Sequence, residues 1–157
     1  CTNKKIGSFG PFKLIPELLF SNLENWGGRK NSGFESYVNS SVTKKCIFDI
    51  GAHVGLTVLP VSFLVNKDAK IYAFEPSIQN NLALKKNISL NKITNVVVEN
   101  YLVGSQNKND VDFYESSQIS STNSKVNTIN KENYIPGGTQ ELESKLRINN
   151  KLMVLIK

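Results

Sequence analysis

The chain has 157 residues, of which 39% are hydrophobic and 20% charged, and its formal net charge is +6. This length is enough for one domain with a core, and this composition is typical of globular rather than disordered proteins. Because the lysines are scattered and no run reaches five like charges, the positive balance predicts a solvated surface and no nucleic-acid partner.

The cysteine and histidine content excludes further classes. Two cysteines, Cys1 and Cys46, and a single histidine argue against a disulfide framework and against a zinc site. No segment approaches the roughly 18 apolar residues of a membrane-spanning helix, and no signal-peptide pattern opens the chain, so we expect a cytoplasmic protein. The 20 asparagines are interpreted as the mark of an AT-rich genome rather than of chemistry.

The first 45 residues are predicted to be helical. Apolar residues from Phe12 to Trp26 recur at close to helical spacing, and the stretch from Phe34 to Val42 predicts a second, shorter helix. We therefore expect residues 1–45 to form an N-terminal helical segment that covers a sheet. The alternative is that this segment helps to bind a substrate.

From Cys46 onward the pattern changes to alternating strands and helices. Strands are predicted at Cys46–Ile50, Lys70–Phe74 and Asn95–Glu99, and helices at Val54–Val65 and Ser77–Asn91. In the second helix, Ser77 is expected to cap the first turn, with Ile78, Leu82 and Ile88 facing inward. This order predicts a parallel sheet with right-handed crossovers, a Rossmann-like doubly wound α/β domain over residues 46–157.

Beyond residue 110 the pattern is weaker. It predicts a strand or edge hairpin at Val111–Glu115, a loop at 116–124, a short strand at Lys125–Ile129, a helix at 141–146 and a buried strand at Leu152–Ile156. Since the chain stops just after that strand, we expect a C-terminally incomplete fold. Its bare sheet edge would make the fragment poorly soluble or self-associating.

The stretch Cys46–Gly55, CIFDIGAHVG, places an acid and two glycines at the end of the first parallel strand. In a βαβ unit this strand end faces the ligand crevice, and the tight turn there suits Gly51. Gly55 lets the helix pack close to the strand or lets a ligand approach the backbone. Asp49 would be costly in a plain core, so it needs donors from a ligand or from loop amides.

The second strand ends in Phe74-Glu75-Pro76, with Glu75 placed 24 residues after Gly51. An acid at this place in a Rossmann-like unit accepts hydrogen bonds from a ribose diol. The dinucleotide pattern G-x-G-x-x-G and the Walker pattern are both absent, which disfavours NAD and ATP. S-adenosylmethionine fits better, because it has a ribose and an adenine but no phosphate.

Three segments in order, FDIGAHVG, YAFEPS and NNLALKKNISLNKITNVVVEN, resemble the FkbM-type family of S-adenosylmethionine-dependent methyltransferases. The resemblance covers about residues 34–157, and Cys46–Val103 carries most of it. It implies a class I methyltransferase fold and O-methylation, with a sugar or small-molecule hydroxyl as acceptor. The family usually continues the LMVLIK strand into an aspartate–x–glutamate–glycine turn, and this chain stops at Lys157, before that turn.

The resemblance also implies a set of cofactor-binding residues, divided by the part of the cofactor that they would contact. The methionine and ribose end would be lined by Asp49, Gly51, His53 and Gly55, the ribose hydroxyls would be bound by Glu75, and the adenine would lie near Asn100 or Tyr101. Ser120 and Ser121 fall in a loop where the family has small polar residues near the pocket. No catalytic residue can be named, and no metal is expected.

Two other hypotheses stay open. One is another nucleotide-dependent α/β enzyme, such as an NAD oxidoreductase, against which the missing third glycine speaks. The other is a truncated, non-catalytic remnant that binds no cofactor or serves as an interaction module.

Overall fold

The computed structural model describes residues 2–28 and 31–104, together with the backbone of three further strands at 113–116, 134–137 and 154–155. Eight strands and three α-helices are found in these described parts. In chain order they are β1 (Thr2–Ile6), β2 (Phe9–Leu14), α1 (Phe34–Ser41), β3 (Cys46–Ile50), α2 (Val58–Leu64), β4 (Lys70–Phe74), α3 (Ile78–Leu90), β5 (Val96–Glu99), β6 (Phe113–Ser116), β7 (Tyr134–Gly137) and β8 (Val154–Leu155).

The central sheet has the strand order β5-β4-β3-β8, and its pairings are parallel. β3 pairs with β4 along its whole length, from Cys46 opposite Lys70 to Ile50 opposite Phe74. β8 pairs with the other edge of β3. Since strands extend from β3 in both directions, the sheet is Rossmann-like and doubly wound, as predicted, and its ligand crevice is expected at the carboxyl end of β3.

The three predicted parallel strands are confirmed, two of them to the residue. Ile47, Phe48 and Asp49 are consecutive and all buried, which is typical of a strand covered on both faces. The Phe48 ring stacks on that of Tyr72, with ring centroids 5.2 Å apart. Cys46 is a free thiol at the strand start, where burial raises its pKa.

The helices between these strands are also confirmed, with one boundary shifted. α2 begins at Val58 rather than Val54, because the preceding residues form the turn that follows β3. α3 follows Ser77, whose hydroxyl accepts a 3.1 Å hydrogen bond from the Asn80 N–H, as expected of a cap. α1 confirms the short helix predicted at Phe34–Val42.

The helix predicted from Phe12 to Trp26 is wrong. β2 instead pairs antiparallel with β1, and a short 3-10 helix follows at Pro16–Leu18. Within β2, Phe12 and Leu14 are buried and Lys13 is exposed, so the local period is two, as in a strand, despite the helix-like spacing over the longer window. The side chains of this hairpin join one hydrophobic cluster with those of α1, β3 and α3. The division of the chain at residue 45 stays a prediction.

The inward face predicted for α3 is wrong as well. Ile78 and Leu82 are 50% and 63% exposed, and Ile88 packs only partly against the core. The buried positions are held instead by Asn80, Asn81, Ala83, Leu84 and Asn87. The side chains of Asn81 and Asn87 bond to backbone atoms elsewhere in the fold, and that of Asn80 bonds to the Glu75 carboxylate, so these asparagines have structural roles that the composition did not reveal.

The later part of the chain bears on two further predictions. β6 confirms a strand in the Val111–Glu115 stretch, and it pairs antiparallel with β7 in a two-stranded sheet that is separate from the central sheet. β8 confirms the centre of the strand predicted at Leu152–Ile156. Ser116 lies in β6, so the loop predicted at 116–124 starts too early by at least one residue. The rest of that loop, the strand at Lys125–Ile129 and the helix at 141–146 lie outside the described residues, as do Ser120, Ser121 and Lys157. Among the described helices, none has the length and apolar character needed to cross a bilayer.

Candidate functional site

The turn between β3 and α2 has an unusual backbone. Gly51, His53 and Gly55 all have positive φ, at 76°, 51° and 92°. The N–H groups of Gly51 and Ala52 both donate 2.9 Å hydrogen bonds to the Phe74 carbonyl at the end of β4. The turn is therefore folded back over the end of the neighbouring strand, with a non-glycine residue held in the left-handed region that few side chains adopt.

The two glycines of this turn differ in their surroundings. A Cβ added at Gly51 would meet no atom within 4 Å, and the residue is exposed, so a ligand can approach the backbone there. A Cβ added at Gly55 would lie 2.7 Å from Cδ1 of the buried Leu84. The close contact at Gly55 is therefore with α3, and the two roles predicted for Gly55, packing of the following helix on the strand or approach of a ligand, stay predictions.

Glu75 lies directly beside the turn, as the sequence predicted. Its Oε2 accepts a 2.7 Å hydrogen bond from the His53 N–H, and its Oε1 accepts from the Ser77 N–H at 3.1 Å and from Asn80 Nδ2 at 3.5 Å. The side chain is only 4% exposed. Backbone and amide donors therefore fix the carboxylate at the mouth of the crevice, where it joins the ends of β3 and β4.

Asn100 is brought to the same place from the end of β5. Its Nδ2 donates to the carbonyl oxygens of Glu75 and Pro76, at 2.8 and 3.0 Å. Asn81 of α3 adds a 3.2 Å bond to the Glu75 carbonyl. These bonds hold the segment after β4 in place, and Tyr101 follows half-buried at the rim.

Asp49 completes the set of predicted residues, and Tyr37 is a neighbour that the sequence analysis missed. Asp49 is 2% exposed within β3. The pKa of Tyr37, in α1, is raised above its ordinary value, first by burial and then by the negative charge of Asp49. The phenol therefore loses its proton less readily than an unperturbed tyrosine does. The helix prediction included Tyr37, but no sequence spacing indicated that this residue would come within the electrostatic reach of Asp49.

The arrangement places a fixed carboxylate, Glu75, beside a turn whose backbone is exposed at Gly51, which suits a polar ligand. No group of three histidine, cysteine, aspartate or glutamate side chains with the arrangement of a metal site occurs in the residues that the structure describes.

Comparison with solved structures gives partial likenesses to two methyltransferases and to a protein solved in complex with AdoMet. An O-methyltransferase from Thermotoga maritima is 18% identical, with 52% of this chain and 32% of that chain covered at a TM-score of 0.42. The precorrin-6y C5,15-methyltransferase of Geobacter metallireducens is 16% identical, with 60% and 45% covered at 0.42. The TYW2 protein of M. jannaschii, solved in complex with AdoMet, is 24% identical, with 43% and 32% covered at 0.36.

The chain thus spans less than half the length of each of these three proteins. At these TM-scores the likeness does not support any function for this chain. The function proposed below is therefore argued from the residues of the site. No family model and no curated protein matches the chain.

Proposed function

We propose that the chain is an S-adenosylmethionine-dependent methyltransferase of the FkbM type. The observation that carries the proposal is the 2.7 Å bond between the His53 N–H and Glu75, which joins a glycine turn to an acid at adjacent strand ends. This pairing occurs without the third glycine of a dinucleotide loop or a Walker loop. A nucleoside cofactor without a diphosphate suits such a site best.

The residues present fit this cofactor. The open space beside Gly51 supports a close approach of the cofactor to the backbone, and we propose that Glu75, fixed beside this turn, accepts hydrogen bonds from the ribose hydroxyls. Asp49 would contribute to the methionine end, with His53 and Gly55 shaping the turn, and Asn100 or Tyr101 would border the adenine. When bound, the cofactor supplies an activated methyl group, while this chain's residues bind and orient it.

We propose O-methylation of a sugar or small-molecule hydroxyl, in the cytoplasm, without a nucleic-acid partner. The order of the three segments that resemble the FkbM-type family supports this acceptor class. The scattered lysines support a solvated surface rather than a nucleic-acid-binding stripe.

Calorimetric titration of the full chain with S-adenosylhomocysteine tests the proposal. We expect the wild type to bind, and Glu75→Gln to bind at least about 10-fold more weakly because it loses a charge-assisted acceptor. Glu35→Gln, an exposed position on α1, is the matched control and should bind like the wild type. Binding of NAD in place of S-adenosylhomocysteine would support the oxidoreductase hypothesis, and binding of neither would support a non-catalytic role.

A further inference from the structure

Asn87, in the last turns of α3, joins two parts of the chain that are far apart in sequence. Its Nδ2 donates a 2.9 Å hydrogen bond to the Val54 carbonyl, and its Oδ1 accepts a 2.9 Å bond from the Ile15 N–H. The side chain is fully buried, and so are both bonds. Loss of either bond would leave a buried polar group without its partner in this structure, which is costly.

The Val54 carbonyl belongs to the turn described above. The preceding residue, His53, is held by Glu75 through its N–H, and the following residue, Gly55, packs against Leu84. A non-glycine residue keeps a positive φ only when several surrounding contacts together hold it in that conformation. Asn87 provides one of these constraints from the side of α3.

The Ile15 N–H belongs to the N-terminal hairpin, one residue after β2. The hairpin is attached to α3 by a second amide, since Asn91 accepts from the Lys13 N–H at 2.9 Å and donates to the Lys13 carbonyl at 2.7 Å. Of these two asparagines, Asn87 makes the side-chain hydrogen bond that reaches the turn. The two asparagines therefore form a natural comparison, because both hold the hairpin and Asn87 also holds the turn.

We propose that Asn87 is a positioning residue, which makes the geometry of the cofactor turn depend on the docked N-terminal hairpin. An amide offers a donor and an acceptor at once, so one side chain can bridge a backbone N–H and a carbonyl. The inference rests on the proposed function insofar as the turn binds a cofactor. The hairpin then acts on the cofactor turn through Asn87.

Amide hydrogen exchange of Asn87→Asp and Asn91→Asp tests the link without any cofactor. Each variant keeps an acceptor for the hairpin N–H and loses the amide donor. We expect Asn87→Asp to speed exchange at Gly51 and His53 at least about 10-fold relative to the wild type. Asn91→Asp keeps the Asn87 bridge, so it should speed exchange only locally, at Lys13, and leave the Ile15, Gly51 and His53 amides within about 2-fold of wild type.

Affinity for S-adenosylhomocysteine separates this inference from the proposed function. Faster turn exchange together with about 10-fold weaker binding in Asn87→Asp would support both. Faster exchange with unchanged affinity would overturn the positioning role, and so would unchanged exchange in a folded variant. If the wild type binds no S-adenosylhomocysteine, the proposed function fails, while the exchange result still decides whether the hairpin holds the turn.

A measurement on the wild type covers the case in which Asn87→Asp does not fold. In native-state exchange at low denaturant, the Ile15, Gly51 and His53 amides should open with the same free energy, as one cooperative unit. If the turn amides stay protected while the Ile15 amide exchanges, the hairpin does not hold the turn and the inference is overturned.

Discussion

The His53 backbone N–H and the Glu75 carboxylate are joined by a 2.7 Å hydrogen bond between the ends of β3 and β4. The bond brings together two sequence features that lie 22 residues apart. It fixes the acid relative to the turn before any ligand arrives. A site with its hydrogen-bonding groups already in position loses less conformational entropy when a ligand binds.

Gly51→Ala and Gly55→Ala should destabilise the protein to different extents. Both glycines have positive φ, so alanine at either site adds backbone strain of about 1 kcal/mol. At Gly55 the new Cβ also meets Leu84, which raises the expected cost to about 2–4 kcal/mol. Urea unfolding of both variants measures the difference in their free energies of unfolding. Equal losses in the two variants would show that α3 moves to make room for the extra methyl group at Gly55.

Hydrophobicity alone suggests that Leu82→Ala destabilises the protein more than Asn81→Ala does, and we expect the opposite. Asn81 is buried and bonds the Glu75 carbonyl, so its loss should lower the free energy of unfolding by about 1–3 kcal/mol. Leu82 is 63% exposed, so its truncation should change stability by less than about 1 kcal/mol. Chemical denaturation of the two variants is the measurement, and a larger loss at Leu82 would contradict the orientation of α3.

Ser77→Ala should lower the free energy of unfolding by about 1 kcal/mol, because it removes the hydroxyl that caps α3. Ser89→Ala, at an exposed position in the same helix, is the matched control and should be neutral or slightly stabilising. Thermal melts of both variants compare the two effects. Equal melting temperatures would show that the cap contributes nothing to stability.

Stability should fall at alkaline pH in part because of Tyr37. Its pKa is raised in the folded protein, so above the ordinary tyrosine value of about 10 the unfolded chain loses a proton that the folded chain keeps. The free energy of unfolding therefore falls as pH rises through this range. Tyr37→Phe should show a flatter profile in urea unfolding between about pH 8 and about pH 11. Parallel profiles for the two proteins would rule out this contribution.

The parallel sheet and the position of Glu75 could be predicted because each depends on a local signal. Short apolar runs separated by helical stretches indicated β3, β4 and β5, and an acid before proline marked the end of β4. Parallel strands end at the same edge, so the two motifs had to meet there.

The N-terminal hairpin and the orientation of α3 could not be predicted, because tertiary contacts decide them. The spacing from Phe12 to Trp26 matched a helix, but pairing with β1 satisfies the backbone of β2. In α3 the side chains of Asn87 and Asn91 bond to backbone groups from distant segments, which no periodicity shows. The proximity of Tyr37 to Asp49 likewise follows from the packing of α1.

The bonds of Asn91 also have a consequence for the edge of β2 that faces away from β1. A two-stranded sheet presents open hydrogen-bonding groups along its outer edges, where a strand of another molecule can add and start aggregation. Asn91 occupies both the N–H and the carbonyl of Lys13, as the next strand would. One helix side chain thus takes the place of a neighbouring strand at this position and protects β2 against intermolecular pairing.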